Sequence, residues 1–199
     1  MSLQTVLPQW NQRSLTRTPA STRLQALCEA LRGVVAVPAT NNLVEWDPSQ
    51  PYGRRVLHES DTLEAMIAGW TPNTPCAPHD HGGSIGAIRV LEGTARHTVW
   101  KIIDDQLKPV CTTLHHKDEV LPASAHLIHS MESVGERPLV TLHLYTDPIE
   151  QMVLYDLKGG RTLVVDGTCG AWLPREPSPK VRAAFAGVIA PTVARPDPT

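Results

Sequence analysis

The sequence has no apolar run long enough, about 18 residues, to cross a bilayer as a helix. It also has no excess of one charge, no paired CxxC motif and no repeat of fixed period. Each absence excludes a class. Lysine and arginine number 18 against 20 aspartates and glutamates, a formal net charge of -2. With no basic patch, non-specific binding to nucleic acid or to a membrane surface is not expected. The cysteines Cys28, Cys76, Cys111 and Cys169 are too widely spaced for a paired zinc pattern. They read as reduced, mostly buried thiols of a cytoplasmic protein. Cys76 has a case as a metal ligand because it lies close to His79, but Pro75 and Pro78 favour an extended turn there. The opening MSLQTVLPQWNQRSLTRTP lacks a continuous apolar core behind a basic start, so no secretory signal is expected.

What is present fits one well-cored domain with an extension, in 199 residues. Residues 21–32 place Leu24, Leu27, Cys28 and Leu31 at helical spacing. Ser21 or Thr22 is the expected N-cap and Gly33 the stop. Residues 34–51 read as a connection. From residue 52 short apolar and β-branched runs alternate with turn residues: RRVLHES, LEAMIAGW, IGAIRVLEG, ARHTVWKI, VCTTLHH, HLIHSMES, PLVTLHLYT, QMVLYD and RTLVVDG. That pattern predicts an all-β sandwich or barrel with little room for crossover helices. After Trp172 the chain is rich in proline, and one further helix is expected near 180–187. The expected organisation is a helical extension over 1–45 packed on a barrel of 46–174, with a tail over 175–199.

Of the nine histidines, the most informative are His79 and His81, flanking Asp80. On a strand, residues i and i+2 face the same way, so both imidazoles reach one metal inside a barrel. Asp80 then points away and is structural. In the first metal motif of cupins an HxH pair is followed at fixed offsets by a glutamate ligand and a glycine. Here Gly93 stands at the glycine position and Gly86 at the glutamate's. The site resembles a cupin without its carboxylate, a neutral three-histidine centre in a jelly-roll barrel. The third ligand is His126 or His129, and spacing alone leaves both open. His58, His97, His115 and His116 read as solvated.

The segments YGRRVL (52–57), PHDHGGSIGAIRVLEG (78–93), LIHSMESV (127–134) and TLHLYTDP (141–148) together resemble the cysteine dioxygenase family of thiol dioxygenases. The resemblance selects His129 and implies that His79, His81 and His129 bind Fe(II). It implies that Arg54, with Tyr52, binds the substrate carboxylate. A planar guanidinium grips a carboxylate through parallel hydrogen bonds. Arg55 is the competing candidate for the inward position. It implies that Tyr145 stands beside the iron, its hydroxyl oriented by His143 and Thr141; serine is usual in the family where Thr141 stands. The substrates implied are a small thiol and O2, with a sulfinic acid as product. Mammalian members carry a cysteine at the Gly86 position that cross-links to the tyrosine, and this chain cannot form that bond there. Thr146-Asp147 precedes Pro148 where the family often has Ser-Pro.

Arginine at position 54 favours L-cysteine, since members selective for 3-mercaptopropionate typically carry glutamine there. Another carboxylated thiol, 3-mercaptopropionate or mercaptosuccinate, is the alternative substrate. A non-catalytic cupin that binds a metal or ligand is the alternative of another class. Imidazoles suit Fe, Zn and Ni alike. The pattern accommodates a monomer or a homo-oligomer.

Overall fold

The computed structural model describes residues 18–35, 47–175 and 177–189; most of the expected 1–45 extension and the chain end lie outside them. The expected helix is α1 (Ala20–Gly33), with Leu27, Cys28 and Leu31 buried. Neither Ser21 nor Thr22 caps it. The helix begins earlier, after Pro19, whose carbonyl accepts from the Arg23 amide at 3.1 Å and which makes no side-chain cap. Proline suits that entry because its φ is already near helical and it has no N–H to leave unpaired.

The strands are β1 (Tyr52–Ser60), β2 (Leu63–Trp70), β3 (Ile85–Glu92), β4 (Thr94–Ile103), β5 (Gln106–His116), β6 (Val120–Ala123), β7 (Ile128–Val134), β8 (Leu139–Thr146), β9 (Gln151–Asp156), β10 (Arg161–Asp166) and β11 (Val181–Ala186). One antiparallel sheet has the order β1-β2-β8-β3-β6. Opposite it lie two antiparallel groups, β5-β4-β7 and β11-β10-β9. Met66, Ala68, Trp70 and Ile88 of the first sheet meet Met131, Met152, Leu154 and Leu163 of the second face in one interior cluster.

The segment 72–80 joins the two groups. On one side Asn73, Cys76 and His79 donate backbone N–H bonds to Ser133, Met131 and His129, and His129 returns one to His79. On the other side Asp80 donates to Val153, and Tyr155 donates to Pro78. The segment is too rich in proline to form a regular strand, since each proline lacks a donor. The expectation of a strand through His79 and His81 is therefore corrected. The segment makes isolated bridges alone, Pro72 to Ser133 and His79 to His129 and Leu154, and the chain turns at Gly82 and Gly83 with positive φ.

β8 is buried along its whole length. Its Leu142 and Leu144 pack with Leu63, Ala65, Ile85 and Ala87 beneath Leu27 and Leu31 of α1. The helix thus roofs the outer face of the first sheet, which leaves Thr141, His143 and Tyr145 facing inward. The expected helix near 180–187 is also corrected: residues 181–186 are β11, paired with β10 through Leu163 and Ala184. The alanines there favour a helix locally, but the open edge of β10 offers unpaired backbone groups that an added strand satisfies. No described helix is long and apolar enough to cross a membrane.

Arg89 on β3 fastens the helix. Its guanidinium donates to the carbonyls of Leu31 (2.8 Å) and Val34, and pairs with Asp118 at 2.6 Å. These carbonyls sit at the helix C-terminus, where the intrahelical ladder runs out; that of Leu31 also accepts from the Val34 amide at 3.3 Å. Arg89→Met is expected to lower stability by about 1–3 kcal/mol, measured by urea unfolding. An unchanged midpoint would mean that apolar contacts alone hold α1.

Candidate metal centre and its cavity

His79 comes from the joining segment, His81 from the turn that follows it, and His129 from β7. All are buried, and one ring nitrogen of each lies within 4.8 Å of the others. His129 Nε2 and His81 Nε2 are 3.2 Å apart. His79 Nδ1 lies 2.9 Å from the Ala77 carbonyl, so it carries the proton and Nε2 is left as a bare lone pair. Burial lowers all the pKa values: His79 to about 4, His81 and His129 well below the ordinary histidine range. The imidazoles are therefore neutral at physiological pH, the form that ligates metals. Three ring nitrogens that converge in a buried site, with only the Tyr145 hydroxyl beside them at 3.4 Å from His81 Nε2, fit a resident metal ion.

His126 is exposed and stays outside this cluster. Asp80 turns away and accepts from the amides of Gly82 (3.0 Å) and Val153 (3.1 Å). Cys76 is not part of the cluster. Its sulfur accepts from the Met131 amide at 3.1 Å, and burial pushes the thiol up to about 12. Cys28 and Cys169 are also buried, and Cys111 is exposed.

A polar chain runs along the inward face of β8. Trp70 Nε1 donates to Thr141 Oγ1 at 2.8 Å. Thr141 Oγ1 lies 2.8 Å from His143 Nε2, and His143 Nδ1 lies 3.1 Å from the Tyr145 hydroxyl. One arrangement of protons satisfies every donor. Thr141, accepting from tryptophan, donates to Nε2; His143 then carries its proton on Nδ1 and donates to the Tyr145 oxygen. The Tyr145 proton is left to point elsewhere, and His81 Nε2 is 3.4 Å away. Burial holds the Tyr145 phenol well above its ordinary pKa and His143 down to about 3, so both stay neutral. Trp70 was not foreseen from the sequence. The available signal was its phase: it shares the inward alternation of Met66 and Ala68 on β2.

A cavity opens in front of the triad, with about 410 Å³ of atom-free space when the open solvent at its mouth is counted. Arg54 lines it, whereas Arg55 is exposed. Arg54 donates to the Gly167 carbonyl at 2.6 Å and forms no ion pair among the described residues. Tyr52 also lines the cavity. Its oxygen accepts from the Ala171 amide at 2.8 Å, which leaves its own proton free to donate. Tyr52 is wedged between Trp70 and Trp172, with ring centroids 4.7 and 5.2 Å away.

Arg54, Tyr52, the three histidines and the Thr141, His143 and Tyr145 chain lie within a match to the cysteine dioxygenase type I family over residues 40–158. The chain belongs to that family. Its barrel is similar to that of an uncharacterised conserved protein with a double-stranded β-helix domain from Klebsiella pneumoniae: 15% identity, TM-score 0.50, covering 60% of this chain and 96% of the other. It also matches a mutant oxalate decarboxylase from Bacillus subtilis at 23% identity and TM-score 0.46, over 61% of this chain and 33% of that one. The fold is a cupin jelly-roll, with one short helix before the barrel among the described residues. Family and fold together support a thiol-dioxygenase-like function, and the buried triad can hold a metal.

Gly86 on β3 pairs with Tyr145 on β8. A Cβ at Gly86 would lie 2.2 Å from Cδ1 of Tyr145. The tyrosine ring occupies the room that a side chain would need. Sequence reasoning also misread His97: it is buried, and its Nε2 is 2.9 Å from His129 Nδ1. Alternation on β4, with Ala95 and His97 both buried, was the signal. Gly86→Ala is expected to displace Tyr145, lowering turnover at least tenfold, about 1.4 kcal/mol in the barrier, with metal content unchanged. Steady-state kinetics with metal analysis checks this, and full turnover would remove Tyr145 position from the account.

Proposed function

We propose that the chain is a non-haem Fe(II)-dependent thiol dioxygenase that converts L-cysteine and O2 to cysteine sulfinic acid. The observation that carries this reading is one cavity lined by a neutral three-histidine cluster, a guanidinium with no anionic partner among the described residues, and two tyrosine hydroxyls. Bound at His79, His81 and His129, iron would supply the redox chemistry and favour the substrate's thiolate.

The chain's own residues do the rest. Arg54 is assigned to the substrate carboxylate, through parallel charge-assisted hydrogen bonds. Tyr52 adds a hydroxyl donor beside it, because its oxygen is already anchored on Ala171. With the carboxylate end fixed, the sulfur is held toward the histidine cluster, and orientation of this kind removes much of the entropic barrier. Tyr145, its proton directed away from His143, donates to the oxygen-bearing end of the reacting pair. Met66, Ala68, Ile88, Met131, Ile149 and Met152 form an apolar wall that limits water. Both atoms of O2 end on sulfur, RSH + O2 giving RSO2H, so no external reductant is needed.

Among the described residues, no carboxylate lines the cavity to meet an ammonium group. That favours amine-free acids, 3-mercaptopropionate or mercaptosuccinate, as the second reading. The test is oxygen uptake by iron-loaded protein with L-cysteine, 3-mercaptopropionate, mercaptosuccinate and cysteamine in parallel, with products identified by mass. The expected result is highest kcat/KM with L-cysteine and a product two oxygens heavier. Uptake fastest with an amine-free acid would move the assignment to the second reading, and no uptake with any thiol would sink the enzyme reading. Arg54→Ala is expected to lower kcat/KM for carboxylated thiols by about 10–100-fold, the value of hydrogen bonds to a charged group. Cysteamine, lacking the carboxylate, should be unaffected; an equal loss with cysteamine would show that Arg54 acts elsewhere.

A further inference from the structure

We infer that His97 is the positioning residue for the ligand His129: it accepts the Nδ1 proton of His129 and so fixes the ring with its Nε2 lone pair toward the metal. The inference rests on reading His79, His81 and His129 as the metal cluster.

For a neutral His129 to ligate through Nε2, its proton must sit on Nδ1, and a buried N–H without an acceptor is costly. The His129 ring is fully enclosed, and its Nδ1 lies 2.9 Å from Nε2 of His97. His97 Nε2 must then be the bare acceptor, which puts the proton of His97 on its own Nδ1. The strand register makes this contact. On β4 and β7, Val99 pairs with His129 and His97 with Met131, so the two histidines are diagonal neighbours across the ladder. Diagonal neighbours are within reach of long or aromatic side chains.

His97 is itself braced from outside. Its ring meets that of His115 on β5 edge-to-face, with centroids 5.9 Å apart. His115 is held by Glu119 at 3.0 Å and Thr113 at 2.9 Å. The brace therefore runs from the barrel surface to the metal cluster through side chains alone. His79 is oriented differently, by the backbone carbonyl of Ala77. His81 Nδ1 has no hydrogen-bond partner among the described residues. Among those residues, His97 is thus the side chain whose replacement alters the support of a ligand without touching the ligand. Partners of this kind commonly are carboxylates, whose negative charge raises ligand basicity. A neutral imidazole supplies orientation while leaving the cluster without negative charge.

The test compares His97→Phe, His97→Gln and His97→Glu. Affinity for Co(II) is measured by chelator competition with no thiol present, and thermal unfolding of the metal-free proteins reports folding. His97→Phe keeps the bulk and removes the acceptor, and is expected to weaken metal binding by about 10–100-fold. His97→Gln presents an acceptor oxygen and should recover most of that loss. His97→Glu should bind at least as tightly as the parent and shift the Co(II) ligand-field bands. Equal affinity in parent and Phe variant, or a Gln variant as weak as the Phe variant at unchanged unfolding temperature, would overturn the inference. Should the Phe variant not fold, nitrogen-15 NMR of the zinc-loaded parent decides: the proton of His129 must reside on Nδ1 and be hydrogen-bonded to His97. Metal ligated through His129 Nδ1 would overturn the assignment. A parent that binds no metal at all would instead remove the cluster reading beneath it, so the two failures are distinguishable.

Discussion

The pair of backbone hydrogen bonds between His79 and His129, each 2.9 Å, is the contact on which the rest depends. It places two candidate ligands opposite one another by main-chain geometry rather than by side-chain choice. It also closes the second face of the barrel, because the same segment bonds to β9 on its other side through Pro78 and Asp80. The third ligand follows within one turn, since Gly82 and Gly83 reverse the chain after His81. A Cβ on Gly82 would meet the Gln151 carbonyl at 2.1 Å, so the turn packs directly on β9. The cluster and the closure of the fold are one construction.

Burial gives that construction its chemistry. Imidazoles enclosed among apolar side chains cannot hold a proton at physiological pH, so their lone pairs remain available. The enclosure comes from both faces of the first sheet. Helix α1 covers Leu142 and Leu144, which lets the alternate residues of β8 be polar and face the cavity without exposing its other side to water. Each polar group on that inward face has a partner, from Trp70 through Thr141 and His143 to Tyr145. Such a chain restrains Tyr145 more firmly than packing alone, because moving it would leave buried donors unpaired.

Much of this was legible in the sequence because the signals were periodic or local. The run of short β-rich segments, the alternation of Thr141, His143 and Tyr145, and the i, i+2 pair of His79 and His81 each state their geometry directly. What was not legible depended on partners distant in sequence. His97 looks like any surface histidine until β4 is set beside β7. The HxH pair reads as a strand, but the prolines before it permit only a stitched segment. The 181–186 run reads as helical from its alanines, and becomes a strand only because β10 has an open edge. The start of α1 shifted because an N-terminal proline needs no side-chain cap.

The account stands most directly on the cluster as a metal centre built of imidazoles alone. X-ray absorption on the iron-loaded protein, with metal analysis of the same sample, measures this. The account predicts one iron per chain with imidazole nitrogens from His79, His81 and His129, and loss of that iron in His129→Ala. Protein that retains no iron, or iron ligated by a sulfur of Cys76 or by a carboxylate, would contradict it.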